Sequence, residues 1–172
     1  MSLNGKACIV GAYEHPTRLA EDRSVLRLHA DVALGALRDA GLSVHDVDGY
    51  FCAGDAPGLG TATVAEYLGL KLRHLDSTEC GGSAPILHVA HAAEAIAAGR
   101  CNVALITLAG RPRAQMAAAQ AAAKSAREAG KPPVKAPLAL KPPDPDAPEL
   151  AFELPYGPAT QNLYALVAQR HM

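Results

Sequence analysis

One segment gathers the residue types that acyl chemistry requires: Asp76-Ser77-Thr78-Glu79-Cys80-Gly81-Gly82-Ser83-Ala84-Pro85. It joins a short stretch that reads as a strand to a long apolar stretch with helical spacing. Cys80 supplies a thiol, Glu79 a carboxylate and Ser83 a hydroxyl, while Gly81 and Gly82 let the backbone approach a ligand closely. A helix start adds unpaired N–H groups and a partial positive charge, which stabilise a thiolate or a developing oxyanion. The same residues suit an ordinary strand-to-helix turn, with Ser83 as helix cap and Glu79 as a solvated carboxylate.

Other constellations are weaker. Gly58-Leu59-Gly60-Thr61-Ala62-Thr63 follows a strand, precedes a helix and has Asp76 at the next strand end, a near match to the dinucleotide fingerprint. Its third glycine is replaced by Thr63, and its strand would be the second of the chain, the wrong start for a dinucleotide fold. Gly81-Gly82-Ser83-Ala84-Pro85 approximates the hydrolase elbow GxSxG, but Pro85 stands where a glycine must fit a crowded turn. His88 and His91, one helical turn apart, are expected as partly exposed surface side chains. Cys8, Cys52 and Cys101 lie in or beside apolar runs and read as buried structural thiols. The seven histidines and four cysteines show no zinc-ligand spacing, so no metal is expected.

The elements that must position these residues alternate. Ala7 to Ala12 reads as a buried strand. Ser24 caps a helix carrying Val25, Leu28, Val32, Ala36 and Leu37, stopped at Gly41. Asp48 to Ala53 makes a second strand, Thr61 to Leu68 a short helix, and Leu72 to Ser77 a third strand. Ser83 caps a long helix bearing Ile86, Val89, Ala90, Ala93 and Ile96 and closed by Gly99. Asn102 to Ala109 is apolar enough to be buried on both faces. Strands separated by helices predict an α/β fold, a mainly parallel sheet with helices on both faces. From Arg111 an Ala-rich helix runs to Gly130, and a proline-rich stretch through Glu149 predicts an extended surface loop. A last helix begins near Thr160 with Leu163, Tyr164, Val167 and Ala168. It reaches Met172 without a stop, so the chain reads as truncated.

The 172 residues allow one substantial core. A net charge of −1 gives no long-range attraction to nucleic acid or anionic membrane. The N-terminal apolar run is too short for a signal peptide, and no stretch is long enough for a membrane span, so a cytoplasmic location is expected.

The phrase CGGSAPILHVAHAAEAIAAGRCNVALI resembles the thiolase signature, in which a Cys-small-Ser-Gly turn opens a long buried helix that closes at glycine and feeds an apolar strand. CIVGAYEHP, DAGL, DVDGYFCAG and the late GPATQNLYALVAQRHM are similar to flanking thiolase pieces. The closest resemblance is to the sterol-carrier-type thiolases, often called lipid-transfer proteins. It implies a thiolase-like core over residues 1–110, a loop-domain insertion over 111–158 and the start of the following helix over 159–172. The family builds its subunit from two similar halves, of which the first is matched here. Counted back from Gly99, the family's acylated cysteine falls on Gly82, which cannot attack a thioester. Cys80, two residues earlier in what would be an extended segment, lies about two strand rises of 3.3 Å away.

The resemblance therefore implies an acyl-CoA-handling protein that lacks the usual nucleophile. The substrate would sit at Cys80, Gly81, Gly82 and Ser83, with no cofactor beyond the CoA thioester, and the catalytic residues are unassigned. Carbon–carbon bond cleavage or formation of retro-aldol type, or acyl transfer, would be the reaction of the full-length protein. The alternative is a non-catalytic subunit binding a partner or a fatty-acyl ligand. The family also implies a homodimer and, for some members, a small zinc-ribbon and OB-fold partner. The acyl-CoA reading requires residues 80–83 to border a concave space; on open surface it would fail and leave only the layered α/β architecture.

Overall fold

A computed structural model of the chain describes residues 3–54, 56–130 and 160–172. Its contacts separate two compact units, Met1–Gln115 and Met116–Met172. In the first, strand β1 (Gly49–Gly54) lies between β2 (His74–Asp76) and β3 (Ala104–Ala109), all parallel. Tyr50 stands opposite Leu75 on one side and Leu105 on the other. Parallel neighbours need crossover connections. Helix α2 (Thr61–Leu68) links β1 to β2, and α3 (Ala84–Ala97) links β2 to β3. Helix α1 (Val25–Asp39) precedes the sheet.

The pleat of β1 sends successive side chains to opposite faces. Tyr50 and Cys52 enter one core with Ala33 and Leu37 of α1, Val64 and Ala65 of α2, and Leu105 of β3. Phe51 enters the other with Ala92 and Ala95 of α3 and Cys101. The sheet thus carries helices on both faces, as its alternating elements predict.

Local chemistry sets the ends. Ser24 Oγ accepts the Arg27 N–H at 3.1 Å, capping α1, and Gly41 turns the chain away at φ +70°. α2 occupies the expected span and stops at a left-handed Gly69. Asp48 clamps the strand starts: its Oδ1 accepts the N–H of Asn102 at 2.7 Å and of Val103 at 2.8 Å, and its carbonyl accepts the Arg73 N–H at 2.8 Å. Burial pushes its pKa up, but the Val103 and Asn102 amides and the Arg73 guanidinium outweigh that and hold the carboxyl below the usual range. A buried polar chain ties α1 to the sheet: the Thr107 hydroxyl lies 2.9 Å from His29 Nδ1 and 2.6 Å from the Tyr50 hydroxyl.

Four expectations are corrected. Ala7 to Ala12 is not a strand; it is held to the end of α1, where Asp39 accepts the Ala12 N–H at 2.9 Å and Gly11 packs so tightly that a Cβ would lie 2.5 Å from the Ala36 carbonyl oxygen. Cys8, in that segment, is exposed rather than buried. α3 buries Ala84, His88, Ala92 and Ala95, not the face of Ile86 and Val89; Ile86 is 74% exposed. A helix apolar nearly all round fits a sheet by either face, and small alanines allow the closer approach. β3 is fully buried on one face, through Leu105 and Thr107, and only partly on the other, where Ala104 and Ile106 pack against the Phe51 core and Leu108 is half exposed.

Helix α4 (Pro112–Glu128) follows, and Gly130 beyond it has φ +66°. Helix α5 (Thr160–His171) forms where a last helix is expected. The proline-rich stretch lies outside the described residues. No described helix is long and apolar enough to cross a membrane.

Asp48→Ala leaves the Asn102 and Val103 amides without their acceptor, and urea unfolding should show a loss of about 1–3 kcal/mol. The native carboxyl is depressed, so its contribution is present above the unfolded value of 3.8 and disappears as the pH falls through the native one. The variant's deficit should therefore shrink in strong acid.

Candidate functional site

Strand β2 ends at Asp76, and the chain then turns into α3 over seven residues. The Ser77 hydroxyl donates to the Cys52 carbonyl at 3.4 Å, which ties the departing chain to β1. The Thr78 N–H donates to His88 Nε2 at 3.0 Å. Gly81, at φ +70°, forms the bend: its N–H donates to Glu79 Oε1 at 3.1 Å and its carbonyl accepts the Ala84 N–H at 3.1 Å. A left-handed φ of this size suits glycine and strains other residues.

Cys80, Gly81, Gly82 and Ser83 stand on open surface. All four are exposed, and a Cβ built on Gly81 or Gly82 would meet nothing within 4 Å. The expectation that they border a concave space is not met among the described residues. Ser83 occupies the position before the helix with an already helical backbone, φ −85° and ψ −15°, and its hydroxyl makes no capping bond. Its carbonyl accepts the Ile86 N–H at 3.1 Å, so its contribution is through the backbone. The left-handed Gly81 also means that residues 80–82 are not extended, and the offset of two strand rises between Cys80 and position 82 does not apply.

His88 is the residue whose environment the sequence misjudges. It is fully buried, 5.9 Å from the Phe51 ring centroid. Because Nε2 accepts the Thr78 N–H, the imidazole is neutral with its proton on Nδ1, and Nδ1 has no partner among the described residues. Burial pushes its pKa down. His88 thereby anchors the segment entering the glycine bend to the helix leaving it. His91 is half-buried as expected and places Nδ1 3.0 Å from Asp76 Oδ2. Cys52 and Cys101 are buried, and burial raises both thiol pKa values.

A groove does lie close to this turn, displaced toward α2. It has a volume of about 320 Å³ and is bordered by Leu59, Gly60, Thr61, Ala62, Leu75, Asp76 and Ser77. Among the described residues no group of three or more His, Cys, Asp or Glu side chains could hold a metal ion.

This geometry has counterparts among solved structures. An Ltp2-ChsH2(DUF35) aldolase superposes with a TM-score of 0.65 at 25% identity, over 94% of this chain and 36% of its own. A monomeric SCP2-thiolase-like protein type 1 from Mycobacterium smegmatis gives 0.52 at 23% identity, over 63% of this chain and 24% of its own. A variant of Xanthomonas campestris OleA with bound lauric acid and lauroyl-CoA gives 0.54 at 15% identity, over 78% and 36%. No protein-family profile matches the chain, and no curated protein does. The fold is that of the thiolase superfamily. The neighbours share that fold with this chain. The chain spans little more than a third of the length of the aldolase it matches.

Two measurements check the site. Brief iodoacetamide treatment of the folded protein should label Cys8 and Cys80 and spare Cys52 and Cys101, read by peptide mass spectrometry; labelling of all four alike contradicts the burial pattern. A native His88 kept neutral binds its proton less readily than the unfolded chain, whose value is near 6.5. Stability is therefore full above that pH and falls as the pH drops below it. His88→Gln keeps an acceptor for Thr78 and should flatten this decline in urea titrations between pH 7 and pH 5.

Proposed function

We propose that the protein is an acyl-CoA-handling thiolase-like subunit that breaks or makes a carbon–carbon bond without an acyl-enzyme, with retro-aldol cleavage as the favoured reaction. One observation carries the reading: the position expected to hold the acylated cysteine is Gly82, in a chain that follows an aldolase over 94% of its own length. A retro-aldol step needs no bond to the protein. The β-hydroxyl loses its proton, the Cα–Cβ bond breaks, and the electron pair passes to the thioester as an enolate that is then protonated at Cα. What such a step asks of the protein is stabilisation of the enolate oxygen and a placed base and acid. Gly81 and Gly82 leave room for the thioester, and the backbone amides around Ser83 at the head of α3 would polarise its carbonyl. The proton-transfer groups would come from beyond this chain.

Acyl transfer is the finer alternative and would require Cys80 as nucleophile. A second reading, a non-catalytic thiolase-fold subunit that binds a partner or a fatty-acyl ligand, is favoured by the exposure of residues 80–83. A cytoplasmic homodimer is part of the proposal, as is a small zinc-ribbon and OB-fold companion. The aldolase neighbour carries a second component in its name, ChsH2(DUF35).

Isothermal titration with CoA and an acyl-CoA separates these readings from a scaffold that binds neither. Gly82→Val adds bulk where nothing lies within 4 Å, so the melting temperature should hold while acyl-CoA affinity falls about tenfold or more. Unchanged affinity in the variant places the thioester elsewhere, and no binding by the full-length protein contradicts both enzymatic versions.

A further inference from the structure

The Gly58-Leu59-Gly60-Thr61-Ala62-Thr63 motif is not used by the proposed chemistry, yet the structure gives it the setting it lacked in sequence. Because Ala7 to Ala12 is not a strand, β1 is the first strand among the described residues, and it pairs in parallel with β2 directly after α2. The unit runs strand, glycine turn, helix, adjacent parallel strand, and closes on Asp76 at the end of β2, the order in which a diphosphate and a ribose are held elsewhere.

Three features converge in the groove of about 320 Å³ between the turn and the strand end. Gly60, with φ +63°, precedes α2 and provides no side-chain cap, and a Cβ there would meet nothing within 4 Å, which leaves room at the head of the helix. Thr61 borders the groove, is only 6% exposed, and its buried hydroxyl has no hydrogen-bond partner among the described residues. A helical threonine has two accessible χ1 rotamers, so that hydroxyl can turn to an anion. On the opposite wall stands Asp76, its Oδ1 accepting the Ser77 N–H at 2.7 Å and its Oδ2 3.0 Å from His91 Nδ1, with lone pairs left for a sugar hydroxyl. Leu59, 86% exposed, forms an apolar rim. Thr63 takes the place of the third glycine and locks the turn, its Oγ1 accepting the Leu59 N–H at 2.9 Å.

We propose that this groove binds the adenosine diphosphate moiety of a ligand, the diphosphate at the head of α2 with Thr61 and a ribose hydroxyl at Asp76. CoA and a free dinucleotide both carry that moiety. The CoA version rests on the acyl-CoA reading; the dinucleotide version does not.

The test is isothermal titration of the protein with ADP, CoA, NAD and adenosine, repeated with Thr61→Val and Ala62→Asp. Ala62 is exposed in the groove wall, so its replacement places a negative charge there without disturbing the core. ADP should bind, adenosine should bind about tenfold more weakly or not at all, and both variants should lower ADP affinity by about tenfold. Should Thr61→Val fail to fold by circular dichroism, Ala62→Asp alone decides. Absence of ADP, CoA and NAD binding at millimolar concentration overturns the proposal, as does ADP affinity unchanged in Ala62→Asp. CoA affinity unchanged in Ala62→Asp while ADP affinity falls overturns the CoA version, keeps the groove for a free dinucleotide and leaves the acyl-CoA reading standing. ADP and NAD binding without CoA binding keeps the groove and sinks the acyl-CoA reading.

Discussion

The structure depends on β1 being covered from every side. Both its edges are paired, and both its faces are packed, Tyr50 and Cys52 against α1 and α2 and Phe51 against α3. A parallel strand buried in this way cannot be joined to its neighbours by short turns, so each connection must cross a face as a helix. Both crossing helices then begin at the same end of the sheet, where the strands finish. The two glycine turns, at residues 58–60 and 81–82, come to that end for this reason. In open parallel sheets it is the end at which ligands gather.

The opposite end is built for rigidity. Asp48 gathers the starts of three strands through backbone amides and a guanidinium, and the polar chain of His29, Thr107 and Tyr50 fixes α1 to the sheet within an apolar core. Buried polar groups of this kind are costly unless satisfied, and satisfied they specify one packing. The end that carries the glycine turns is secured more lightly, by the Thr78–His88 and Asp76–His91 contacts. His88 therefore links architecture to chemistry. It sits in the core like a structural residue, yet its bond holds the segment that enters the glycine bend.

Much of this was legible in the sequence because it follows from local rules. The span of α2, the Ser24 cap and the glycine stop after α1 are set by residues within one turn of the feature they control. What was not legible depends on distant partners. Which face of α3 is buried was undetermined by a helix that is apolar nearly all round. His88 looked like a surface residue because neither Phe51 nor Thr78 is identifiable as its neighbour from sequence. Cys8 was expected to be buried because an apolar run reads as a strand whether or not a partner strand exists. The glycine bend was found from its own residues; that it stands on open surface was not, because exposure is decided by what packs around it. Nor did the sequence show that a groove lies beside Thr61.

The central claim is that a glycine bend at the head of α3, emptied of its nucleophile, receives a thioester. Hydrogen–deuterium exchange with and without a non-hydrolysable acyl-CoA addresses it directly. The account predicts slower exchange across residues 78–84 on ligand addition, with the already protected amides of β1 unchanged. Binding that leaves the exchange of 78–84 unaltered would contradict it.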